Sequence, residues 1–101
     1  MYLTKSQEAA AEWYIATMNA MLGPGVDIRG RSRRHDIAWG RYIVADALIA
    51  RQRFTFGDAA RILGRDHSTS VWWRKCIADM KAMPVIYAYE NELYIDFNSR
   101  I

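Results

Sequence analysis

Gly64-Arg65-Asp66-His67-Ser68-Thr69 gathers a turn residue, a cation, a capping acid, an imidazole and two hydroxyls within six positions. An apolar run follows, so the segment reads as the first turn of a helix. Such a terminus leaves N–H groups unpaired and carries a partial positive charge, which suits phosphate or base acceptors. His67 can donate to or accept from a base edge. Ser68 and Thr69 can bond a phosphate or a base, and the Thr69 methyl can touch a thymine methyl. Asp66 serves either as the N-cap or as an acceptor for a cytosine amino group.

The charge around this head points to a polyanion. The net charge is +3, but residues 29–82 hold twelve Lys or Arg against five Asp or Glu. The two flanks each hold one basic residue against three acidic ones. A cationic zone of this size is an electrostatic footprint for nucleic acid. Arg31, Arg33 and Arg34 read as backbone or minor-groove contacts, since a groove narrowed at A·T-rich sequence attracts arginine. Arg53, Arg61, Arg65 and Lys75 read as phosphate contacts, which set register rather than sequence. Trp39, Phe54, Trp72 and Trp73 either stack on unpaired bases or belong to the core.

The elements that must position these residues are helical. Lys5 to Leu22 has no Pro or Gly, with Thr4 or Ser6 as cap and a stripe of Ala9, Trp13, Ala16 and Ala20. Gly23-Pro24-Gly25 ends it, and residues 23–33 form a basic connector. Ser32 is the expected N-cap of a long helix over 34–51, striped by Ala38, Tyr42, Ala45, Leu48 and Ile49. Gly40 in its middle costs about 1 kcal/mol relative to Ala and suggests a close helix crossing. Thr55 caps a short helix over 56–63, Gly64 suits its C′ position, and a further helix spans 68–81. Val71, Trp72, Cys76, Ile77 and Met80 form the expected inner stripe of that last helix. The pair makes a helix-turn-helix. Residues 84–101 read as a helix striped by Ile86, Tyr89, Leu93 and Phe97, or as a hairpin turning at Glu90-Asn91-Glu92. The expected class is all-α, a small helical bundle in one domain.

Residues 31–78 resemble the C-terminal DNA-binding domain of the bacterial replication initiator DnaA. The residues that carry the likeness are Ile62-Leu63-Gly64-Arg65-Asp66-His67-Ser68-Thr69, together with His35-Asp36-Ile37-Ala38-Trp39 at the start of the long helix. The resemblance implies a helix-turn-helix like that of the Trp repressor, with Asp66–Thr69 opening the helix that enters the major groove. It also implies an arginine of the connector in the minor groove. His35, counted among the expected DNA contacts, stands where the family usually has Arg, and Ser70 where it usually has Val. The whole initiator has a nucleotide-binding engine, and this chain has no Gly-x-x-x-x-Gly-Lys-[Ser/Thr]. The expectation is a stand-alone version of the DNA-binding piece, of phage or mobile-element origin.

The resulting expectation is sequence-specific binding of double-stranded DNA in replication or transcription control, in a reducing cytoplasm and associated with the nucleoid. The competing reading is a protein-interaction module that binds a replication or transcription partner, or self-associates as a homodimer. It would use Tyr87, Tyr89, Tyr94 and Phe97 as an apolar patch. No catalytic group, cofactor or metal is expected. Two His, one Cys and no paired-carboxylate motif offer little for an enzyme site, and no Cys/His cluster suggests zinc. No apolar run approaches the ~18 residues of a membrane span, and Met1-Tyr2-Leu3-Thr4-Lys5 lacks the plan of a signal peptide.

Overall fold

The computed structural model describes residues 3–101; Met1 and Tyr2, part of the N-terminal reading, lie outside them. The described chain is all-helical: α1 (Lys5–Leu22), α2 (His35–Gln52), α3 (Phe56–Ile62), α4 (His67–Ala82) and α5 (Ala88–Arg100). None of these helices is long and apolar enough to cross a membrane.

Local chemistry sets the helix ends. Thr4 Oγ1 accepts from the Gln7 amide while the Gln7 side chain accepts from the Thr4 amide, a capping box at 3.0 Å each way. Thr55 caps α3 through the Asp58 amide. The α3 exit closes as a Schellman turn, with Arg65 N–H on the Ala60 carbonyl and Gly64 N–H on that of Arg61. Gly64 takes φ +74°, the left-handed value this turn requires. At α2 the expected cap moves: Arg34 is the N-cap residue and has no side-chain cap bond, while Ser32 Oγ accepts from the Arg34 amide.

α2 is the central helix. It packs against α1, α3, α4 and α5, and is buried almost all round from Ile37 to Leu48. Gly40 lets α1 and the connector come close. A Cβ there would stand 3.0 Å from Leu22 Cδ1, 3.1 Å from Met18 Cγ and 3.2 Å from Ile28 Cγ2. An aromatic chain ties α2 to α4 and to the turn before α5: Tyr42 lies 5.9 Å from Trp73, and Trp39 lies 5.6 Å from Tyr87.

Three expected faces are corrected. In α1 the buried side is Ala11, Tyr14, Ile15 and Met18, and Trp13 is half-exposed, because the helix turns its larger aliphatic face toward α2. In α4 the inner residues are Ser70, Trp73, Ile77 and Met80, while Val71 and Trp72 face out. Ser70 tolerates burial because its hydroxyl donates to the His67 carbonyl at 2.9 Å. In the C-terminal segment the helix alternative holds, but it starts at Ala88, four residues after Pro84. Its buried residues are Glu90 and Phe97, and Ile86 and Tyr89 are exposed. The stacking role imagined for Trp39, Phe54 and Trp73 has no exposed ring to perform it.

Gly40→Ala tests the crossing. Helix propensity alone favours Ala by about 1 kcal/mol. Crowding against Met18 and Ile28, both fully buried, costs ~1–3 kcal/mol. Urea unfolding is expected to show Gly40→Ala less stable than the wild type by about 1 kcal/mol, and Gly40→Val worse still.

Candidate nucleic-acid interface

The connector between α1 and α2 has no regular structure, so its carbonyls need partners from elsewhere. They find them in Arg41, a buried side chain of α2. Its Nε donates to the Ile28 carbonyl at 2.6 Å. Its Nη2 donates to Gly30 and Ser32 at 2.9 and 2.7 Å. Asn19 Oδ1 accepts from the Ile28 amide, and the Ile28 side chain is fully buried. Burial, and then the neighbouring Arg65 charge, pull the Arg41 pKa below that of a free guanidinium. Nothing local in the sequence marks Arg41, which sits among apolar neighbours.

The same connector is fastened to the helix-turn-helix. Arg65 Nη2 donates to the Gly30 carbonyl at 2.7 Å, and its Nη1 reaches the carbonyls of Leu63 and Gly64. A Cβ at Gly64 would stand 3.4 Å from the Arg29 carbonyl oxygen. The structure therefore brings the Arg29–Arg33 loop beside the turn that opens α4.

At that opening, Asp66 is the N-cap. One carboxylate oxygen accepts from the Thr69 amide at 3.3 Å, the Ser68 hydroxyl at 2.7 Å and the Thr69 hydroxyl at 3.1 Å. The Ser68 and Thr69 hydroxyl bonds, then the Thr69 amide, hold its pKa below the usual carboxylate range. Ser68 and His67 are exposed and Thr69 is half-buried. The His67 imidazole lies against the start of α3, its Nδ1 3.3 Å from where a Gly57 Cβ would stand.

The arginines divide into two groups. Among the described residues, the side chains of Arg31, Arg33, Arg53 and Arg61 make no ion pair or hydrogen bond, and all four are exposed. Arg34 is paired with Asp36 at 2.8 Å, and that bond holds the Asp36 carboxyl below its usual range. Arg74 reaches buried Asp46 at 3.6 Å and covers the Phe56 ring. Lys75 lies 4.0 Å from Asp79 and 5.4 Å over the Trp72 ring. His35, expected at the interface, has its Nε2 2.6 Å from Glu90 Oε2 and links α2 to α5. A separate groove of about 430 Å³ is lined by Met21, Tyr89, Glu92, Leu93, Asp96 and Arg100; none of the residues singled out for nucleic-acid contact borders it.

Arg41→Lys keeps the charge but loses the planar fork that serves three carbonyls. It is expected to speed amide exchange across residues 28–33 and to lower stability by about 1–3 kcal/mol. Exchange in the middle of α5 should change no more than the global stability requires.

No protein-family model matches this chain, and neither a curated protein nor a solved structure matches it.

Proposed function

We propose that this protein binds double-stranded DNA with sequence preference, the N-terminus of α4 lying in the major groove and the Arg29–Arg33 loop on the adjacent backbone or minor groove. The observation that carries the reading is the fastening of a loop with two unpaired arginines, Arg31 and Arg33, to the turn of a helix-turn-helix. The head of that second helix presents His67 and Ser68 to solvent. The likeness of Gly64–Thr69 and its surroundings to the DNA-binding domain of DnaA supports the same reading, with a role in replication or transcription control. His67 is the base-reading group. Arg31, Arg33, Arg53 and Arg61 supply phosphate contacts, and Asp66 orders the helix head.

Four phosphate contacts imply a slope of about −4 for log affinity against log salt. Binding to the duplex most enriched from a randomised library is measured at several salt concentrations. Arg33→Ala is expected to weaken all duplexes alike and to reduce the slope by about 1. His67→Ala is expected to erode the ratio of specific to non-specific affinity, with a loss of ~1–3 kcal/mol on the enriched site alone. An unchanged ratio removes His67 from base reading, and no binding at low salt removes the proposal.

A second reading, partner binding or self-association, draws on one observation. Met83, Val85, Ile86 and Tyr89 form an exposed apolar stretch, with Val85 88% and Ile86 74% accessible. This is not the patch expected from the sequence, since Phe97 is core and Tyr87 and Tyr94 are half-buried. On the DNA-binding reading, light scattering gives a monomer mass and Ile86→Glu leaves DNA affinity unchanged. A dimer mass that Ile86→Glu converts to monomer favours the second reading.

A further inference from the structure

The outer face of α4 carries a surface that the polar head at Asp66–Thr69 does not explain. Ser70, Trp73, Ile77 and Met80 point into the core. At 100° per residue, the opposite direction falls on Ser68, Val71, Trp72, Lys75, Asp79 and Ala82, with Lys75 4.0 Å from Asp79. Val71 is 49% and Trp72 55% exposed. These two apolar side chains follow the helix head by one turn, with a hydroxyl before them and an ammonium after them. The indole is held in place. Lys75 Nζ lies 5.4 Å from its ring centroid.

An apolar centre beside an ammonium, on the helix whose head adjoins the Arg29–Gly30 backbone, suits a ligand that is anionic at its edges and apolar in its middle. The major groove of duplex DNA is such a ligand. Phosphates line its walls, and the C5-methyl groups of thymine project from its floor. Stacking on unpaired bases fits less well, because Lys75 already covers one face of the Trp72 ring.

We infer that Val71 and Trp72 are specificity-determining residues that read thymine C5-methyl groups in the major groove. The inference rests on the DNA-binding reading above. It adds a second register of recognition, apolar and one helical turn further along α4 than the polar head.

The test uses the full chain and the most enriched duplex, with each thymine replaced in turn by deoxyuridine. That replacement keeps base pairing and removes only the methyl. Fluorescence anisotropy is expected to show about fourfold weaker binding at one or two thymines, the loss of one buried methyl each. Trp72→Ala is expected to bring the thymine duplex down to the affinity of its uracil counterpart at one of these positions, and Val71→Ala at the same or the neighbouring one. Equal affinity for thymine and uracil at every position overturns the inference. So does a thymine preference that survives in both variants. Tighter binding to single strands that depends on Trp72 overturns it in favour of base stacking. Absence of binding to any duplex fails the underlying DNA reading as well, whereas duplex binding blind to the methyl fails this inference alone.

Discussion

The placement of the candidate interface depends on one buried guanidinium. Removing an arginine from water costs several kcal/mol unless its donors are satisfied. An irregular loop against a core has the reverse problem, carbonyls without donors. Arg41 and the connector answer each other: three carbonyls take the guanidinium, and the guanidinium fixes the loop. Because α2 touches every other helix, the loop is referenced to the centre of the bundle and not to its two ends alone. Arg65 then joins the same Gly30 carbonyl to the helix-turn-helix. The loop and the head of α4 thus form one body. Such preorganisation matters for any ligand that spans both, since ordering a loop on binding subtracts directly from affinity.

Fastening also explains which cations remain available. The basic middle of the chain is not a uniform field. Arg41 and Arg65 are committed to backbone carbonyls, Arg34 to Asp36, and Arg74 to Asp46 and the Phe56 ring. The arginines that stay exposed and unpaired among the described residues are Arg31, Arg33, Arg53 and Arg61. Two of these lie in the loop and two flank or belong to the first helix of the motif. A count of charges along the sequence overstates the surface available to a polyanion. The committed arginines still contribute by holding the free ones in position.

Features governed by neighbours in sequence were the legible ones. Thr4, Thr55, Asp66 and Gly64 occupy the cap and turn positions that their side chains and backbone preferences favour, because these bonds close within a few residues. The crossing at Gly40 was visible for a similar reason, a glycine being costly in mid-helix unless something approaches it. The helix faces were harder. Ser70, with its hydroxyl returned to the His67 carbonyl, counts as apolar in the core, and Val71 and Trp72 look like core residues although they face outward. A one- or two-position error in phase inverts the face, and only the partner helix decides it. Long-range polar links left no trace at all. Arg41 with the connector and His35 with Glu90 join residues far apart in sequence, and neither residue type announces its partner.

The phase of α4 ties the fold to the proposed function. Burying Trp73 against Tyr42, and Ser70 in the core, leaves Trp72 on the open side, because adjacent residues on a helix diverge by about 100°. One tryptophan of the pair builds the core and the other is free for recognition. Exposed apolar residues occur elsewhere, at Val85 and Ile86, but those sit in a turn with an acidic helix behind them. Near Trp72 the immediate cation is Lys75, paired with Asp79, and the fastening brings the Arg29–Gly30 backbone beside the turn that opens the same helix. The same kind of surface therefore has different meanings at the two places. Beside acidic α5 it would repel a polyanion, whereas on α4, under the proposed function, it is an apolar surface next to Lys75 that a ligand drawn in by charge would meet.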